Sequence, residues 1–198
     1  MMPAIRHNQI VIVTGLPRSG TSMMMKMLEA GGVPPLCDGR RTADDDNPNG
    51  YYEFEPVKQT GKNAGWLQLA GGKAVKMVYS LLYDLPTDRR YDVIFMRRDL
   101  NEILASQSRM LQNMKLKSDV DDDRMARLFR GEIVRFQKWV DTANHIRCVE
   151  VLYNDVASGN ESPLHLINAH LGGGLDTSAM SAIVDPSLYR NRSADSAA

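Results

Sequence analysis

The sequence predicts an α/β protein: a three-layer arrangement around a parallel sheet, with a P-loop-like nucleotide-binding core. Three observations carry that expectation. Nearly continuous β-branched, apolar runs recur along the chain, as strands buried on both faces require. Helix-patterned stretches alternate with them. The first apolar run ends in a glycine-framed turn that opens a helix. The 198 residues suit one domain, residues 1–198, able to bury a sizeable core.

The strands are expected in "QIVIVTG" (9–15), "KAVKMVY" (73–79), "YDVIFMRR" (91–98) and "IRCVEVLY" (146–153). Helices are expected near 20–30, 56–69, 100–114 and 122–143. In the last, Met125, Leu128, Phe129, Ile133, Phe136 and Val140 fall at helical spacing and read as a core-packing stripe. The acidic run "SDVDDD" (118–123) lacks the glycine and terminal glutamate of a calcium loop, so it reads as a helix N-terminus favoured by the dipole. Residues 31–55 differ from the rest, being rich in Gly, Pro and Asp without a period; a loop that long is usually functional or disordered. The tail, 192–198, is expected to fray.

Composition excludes some roles. Lys plus Arg and Asp plus Glu number 24 each, so no global charge favours nucleic acid or an acidic membrane, and any anion site must be a local cluster. No apolar run reaches the roughly 18 residues of a membrane span. The N-terminus lacks the apolar stretch of a secretory signal, and Cys37 and Cys148 read as reduced thiols, so a cytoplasmic protein is expected.

The chemistry starts at "VIVTGLPRSGTSMMM" (11–25). The frame Gly15-x-x-x-x-Gly20 is that of a P-loop, but the lysine position holds Thr21, followed by Ser22, and the basic residue comes earlier, as Arg18. Backbone N–H groups of such a loop, the helix dipole and the two hydroxyls all favour a multiply charged anion. Without the lysine, transfer of a γ-phosphoryl group from ATP with Mg²⁺ is harder to support. "GLPRSGTSMMMKMLEAGGVP" resembles the 5′-phosphosulfate loop of the sulfotransferases, P-[KR]-S-G-T-[ST], which carries its cation where Arg18 stands. The resemblance implies binding of 3′-phosphoadenosine-5′-phosphosulfate (PAPS) through Pro17, Arg18, Ser19, Gly20, Thr21 and Ser22. It also implies sulfuryl transfer to a hydroxyl or amine without a metal, and release of adenosine 3′,5′-bisphosphate.

The family grips the 3′-phosphate with an Arg at a strand end and a Ser eight residues on. Here "RDLNEILAS" supplies Arg98 and Ser106 at that spacing, and Arg97 is the neighbouring alternative. A guanidinium and a hydroxyl can share one phosphate. "VEVLYNDV" resembles the family's Tyr-Glu-Asp strand end, with Tyr153 near the adenine and Asn154 where the family has Glu. Arg190 and Arg192 resemble a late basic segment that closes over the cofactor, although no glycine accompanies them; a solvated tail is the other reading.

"KAVKMVYSLLYDLP" resembles the strand K-[ST]-H-x-P, in which the Lys contacts the transferring group and the His is the base. Lys76 matches the Lys, whereas Val78 occupies the His position. His7, His145, His165 and His170 fall in other segments. Other branches use a Glu after the loop helix, which points here to Glu53 and then Glu55, with Asp38 and Asp44 to Asp46 behind them. Burial beside Tyr51 and Tyr52 would raise such a carboxylate toward neutrality, as a base requires. The acceptor, a small-molecule, glycan, lipid or peptide hydroxyl, is not legible, and neither is the oligomeric state. Residues 31–55 are expected to border the acceptor. Two rival readings stand: a P-loop kinase of small molecules using ATP and Mg²⁺, and a non-catalytic phosphonucleotide-binding module.

Overall fold

Four strands, β1 (Ile10–Gly15), β2 (Lys73–Lys76), β3 (Tyr91–Arg97) and β4 (Ile146–Leu152), form one all-parallel sheet in the order β2-β1-β3-β4. The computed structural model describes residues 4–41, 44, 47, 50–113 and 121–185. β1 is central and buried along its whole length, which is why its sequence is continuous rather than alternating. The outer strand β4 alternates exposed and buried residues over part of its length, as an edge with one wet face does.

Helices cover both faces. On one, Val11, Val13, Ile94 and Met96 pack against Met24, Met27 and Leu28 of α1 (Thr21–Ala30), Ile167 and Leu171 of α5 (Ser162–Leu171), and Met180 of α6 (Thr177–Ser181). On the other, Ile12, Val75, Val93 and Phe95 meet Phe136 of α3 (Asp122–Val140), Trp66 and Leu82. Phe95 stacks on Phe136 with ring centroids 4.5 Å apart. Ile103 of α2 (Leu100–Asn113) joins Leu16 and Ile133 in a smaller cluster on that side. The chain therefore has the three-layer α/β architecture its sequence predicts.

Several elements differ from expectation. Residues 56–69 form no α-helix but two short 3₁₀ turns, Glu55–Gln59 and Gly65–Leu69. Pro56 removes an early donor, and Gly61 and Gly65 interrupt the remainder of the run, so i→i+3 bonds such as Leu67 N–H to the Ala64 carbonyl close, beside the i→i+4 bond from Asn63 N–H to the Gln59 carbonyl. The second strand stops at Lys76; Met77 and Val78 are irregular, and a 3₁₀ segment, Tyr79–Asp84, begins at the last residue of the predicted run. Tyr153 is the first residue of a helical turn, α4 (Tyr153–Ala157), rather than a strand end. In α3, Ile133 and Phe136 are buried but Leu128 is 54% exposed, so the stripe is narrower than the sequence suggests. Asp121 caps that helix, its carboxylate accepting from the Arg124 N–H at 3.4 Å; residues 118–120, Asp45, Asp46 and the 192–198 tail lie outside the described residues. Both cysteines are free thiols.

Parallel strands bring all their C-terminal ends to one edge. With the order β2-β1-β3-β4, α1 leaves β1 on one face while α2 and α3 follow β3 on the other. The chain thus divides between β1 and β3, leaving a crevice outside the strand ends of the kind where open α/β sheets bind ligands.

Candidate functional site

A cavity of about 530 Å³ occupies that crevice. Gly15–Arg18 and Gly20–Met23 after β1 line one side, and Arg98, Ser106, Arg109 and Met110 line the side after β3. Lys76, Met77, Val78 and Leu81 come from the end of β2, and Tyr153, Ala157 and Ile183–Asp185 from the far side. Residues of the long loop, Arg41, Asn47, Tyr51, Glu53 and Phe54, complete the wall.

The glycine frame is sterically required. A Cβ on Gly15 would lie 2.6 Å from the Met96 carbonyl oxygen, and Gly20, at φ 95°, would drive a Cβ to 2.4 Å from the Tyr153 ring. Between them Arg18 is held at φ 66°, a conformation costly for a side-chain-bearing residue. Among its contacts, Arg98 Nη1 donates to the Arg18 carbonyl at 3.2 Å, and Arg18 Nε donates to Ser106 Oγ at 3.0 Å. Ser19 turns into the loop rather than into the cavity. Its N–H donates to the Leu16 carbonyl and its buried hydroxyl sits over Gly15, outside the cavity. The first helical bond runs from Met24 N–H to the Gly20 carbonyl, leaving the N–H groups of Thr21, Ser22 and Met23 without an intrahelical acceptor at the positive end of α1. Together these groups suit an anion.

Across the crevice, Arg98 and Ser106 both line the cavity, with Ser106 two turns along α2 and 6% exposed. The Arg98 guanidinium lies over the Tyr153 ring, 4.2 Å from its centroid, and its Nε donates to Glu102 at 2.9 Å. Burial raises the Tyr153 phenol despite the neighbouring Arg98. Arg97 points elsewhere and pairs with Glu150 at 3.0 Å.

Lys76 reaches the foot of α1. Its Nζ donates to the Tyr51 carbonyl and to Ser22 Oγ, the latter at 3.4 Å. Burial pushes its pKa down to about 8, Glu53 opposing and Arg41 reinforcing the shift. Arg41 stacks on the Tyr51 ring at 3.4 Å and pairs with Glu53 at 3.2 Å. The Tyr51 hydroxyl donates to the Asp44 carboxylate, and Asn47 Nδ2 donates to Ser22 Oγ at 2.9 Å, pinning the long loop to the phosphate loop.

The two carboxylates expected as base part company here. Glu53 lines the cavity, whereas Glu55 lies outside it, paired with Lys58 at 2.8 Å. Val78, in the position of the family's His, is 52% exposed on the cavity wall. His165 is exposed on α5, and among the described residues no cluster of His, Cys, Asp and Glu can hold a metal. Arg190 and Arg192 lie outside the described residues. Arg41, Glu102 and Arg109 are cavity or cavity-supporting residues that the sequence reading missed. Arg41 was invisible because its place depends on loop conformation; Glu102 was legible as the acidic residue four positions after Arg98.

No protein-family model matches the chain, and no curated protein sequence does. Among solved structures, the sulfotransferase domain from the curacin biosynthetic pathway aligns with it at 15% identity and a TM-score of 0.47, over 84% of this chain and 74% of that one. Among the described residues, no helix is long and apolar enough to cross a membrane.

Proposed function

We propose that this chain is a PAPS-dependent sulfotransferase acting on a hydroxyl or amine acceptor. The observation that carries the reading is the convergence of two cationic groups on one crevice: Arg18 with the open N–H groups of α1, and Arg98 with Ser106, the two joined by the Arg18–Ser106 bond. One multiply charged nucleotide with phosphates at both ends would engage both. PAPS, when bound, supplies an electrophilic sulfuryl group on a phosphate leaving group.

In this proposal Arg18 and the N–H groups of Thr21, Ser22 and Met23 hold the 5′ end, and Arg98 with Ser106 holds the 3′-phosphate. Pro17 and Gly20 shape the loop, while Tyr153 lies under Arg98 where an adenine would approach. Lys76, protonated, neutralises charge developing on the leaving oxygen. Glu53 takes the acceptor proton as the acceptor oxygen bonds to sulfur and the sulfur–phosphate oxygen bond breaks, releasing adenosine 3′,5′-bisphosphate. Phe54, Val57, Met77, Val78 and Leu81 form an apolar bed for the acceptor body. Ser19 enters as a structural member of the loop, and Glu55 gives way to Glu53.

The test is a transfer assay, by mass spectrometry, with PAPS and a panel of alcohol, phenol, sugar and amine acceptors, on wild type and Arg18→Ala. Sulfated product from wild type that drops at least about a hundredfold in Arg18→Ala supports the reading. Undiminished transfer in the variant, or phosphorylation of the same panel by ATP and Mg²⁺, contradicts it.

A further inference from the structure

Among the described residues Glu102 is the only carboxylate buried in the interior, at 2% exposed. Such a group is unfavourable unless its charge and lone pairs are met. Both its oxygens are engaged: Oε2 accepts from Arg98 Nε at 2.9 Å, and Oε1 accepts from Asn154 Nδ2 at 3.0 Å. Glu102 does not line the crevice cavity; Arg98, four residues earlier, does.

The consequence falls on the Arg98 guanidinium. That group is a rigid planar fork of five N–H donors. Glu102 fixes it at Nε, the Arg18 carbonyl fixes Nη1 at 3.2 Å, and the Tyr153 ring supports it from one side, 4.2 Å from the ring centroid. A long flexible side chain is thereby set in one orientation before any ligand arrives, which removes the ordering cost that binding would otherwise carry.

The structure supplies a reason for the amide at Asn154. A carboxylate at 154 would face Glu102 where the Asn154 amide now donates, and two carboxylates so close cannot both stay ionised. The Asn is complementary to Glu102, so the two positions act as a pair.

We propose that Glu102, held by Asn154, is a positioning residue for Arg98, and that this clamp sets the site's preference for a nucleotide bearing a 3′-phosphate. The proposal rests on the reading of Arg98 as the 3′-phosphate ligand. It assigns Glu102 no contact with the nucleotide.

Calorimetric titration with adenosine 3′,5′-bisphosphate and with adenosine 5′-phosphate tests it, the readout being the ratio of the two Kd values. Glu102→Ala is expected to weaken the bisphosphate about tenfold or more, and adenosine 5′-phosphate, which meets Arg98 only indirectly through the Arg18 carbonyl, by no more than about threefold. That retained binding also reports an intact fold. Asn154→Glu is expected to lose the preference in the same way. The double variant Glu102→Gln, Asn154→Glu restores it to within about threefold, because the Gln amide donates to the new carboxylate while its oxygen still accepts from Arg98. A wild-type ratio in Glu102→Ala or in Asn154→Glu overturns the proposal. So does a double variant no better than Asn154→Glu, and this pair decides the matter if Glu102→Ala does not fold. A wild type that fails to prefer the bisphosphate overturns the underlying PAPS reading as well, whereas a preference shared by wild type and all variants overturns the clamp alone.

Discussion

Replacing Lys76 with Met should make the protein more stable at neutral pH while removing most of its transfer activity. Burial lowers the Lys76 pKa from 10.5 to about 8, so the folded state holds a proton there less readily than the unfolded chain does. Between those values the unfolded chain carries the extra proton, and stability rises with pH. The contribution is fully present above 10.5 and is lost as pH falls through about 8. The drop corresponds to about 3 kcal/mol, which Met, an apolar side chain of similar length, escapes. Against that gain stand two lost hydrogen bonds, to the Tyr51 carbonyl and Ser22 Oγ, each worth about 1 kcal/mol. Neutral lysine still donates both, so their loss is the same at every pH. The difference between variant and wild-type unfolding free energies should therefore fall by about 3 kcal/mol between pH 7 and pH 10.5. Urea denaturation of both proteins at the two pH values measures it. A difference that stays flat with pH would refute the burial argument, whatever its size at pH 7.

Gly20→Ala combines a left-handed backbone with a 2.4 Å approach to the Tyr153 ring and should destabilise by about 2 to 5 kcal/mol, read by chemical denaturation. Glu53→Gln should lower kcat at least about a hundredfold, whereas Glu55→Gln, outside the cavity and paired with Lys58, should leave it at wild type. Because Lys76 acts in its protonated form, the rate constant kcat/KM should decline as pH rises through about 8, and Lys76→Met should lose that limb along with most of its activity.

What the sequence made legible was whatever short-range pattern encodes. The continuous run Ile10 to Val13 could only be a strand covered on both faces, and the Gly15 and Gly20 frame announced a tight turn onto a helix. The eight-residue step from Arg98 to Ser106 placed a hydroxyl two turns along a helix, and the fold keeps both on one crevice. Long-range geometry was another matter. Apolar Val57, Trp66 and Leu67 suggested a helix over 56–69, yet Pro56, Gly61 and Gly65 let the same side chains reach the core from two 3₁₀ turns. Arg41 carried no sequence signal, because its stacking on Tyr51 depends on the local backbone, with Gly50 at φ 76° and Tyr52 at φ 50°. Glu53 and Glu55 are two residues apart in the sequence and on different sides of the cavity wall, a distinction that only the paired contacts from Arg41 and Lys58 reveal.

The central claim is that one crevice grips a nucleotide by phosphates at both ends, and calorimetric titration tests it most directly. Wild type and Arg98→Ala are titrated with adenosine 3′,5′-bisphosphate and, separately, with ATP and Mg²⁺. Tight bisphosphate binding that collapses in Arg98→Ala, beside weak ATP binding, is the predicted result. ATP–Mg²⁺ binding that is tighter than the bisphosphate and indifferent to the substitution would contradict the account and favour a kinase.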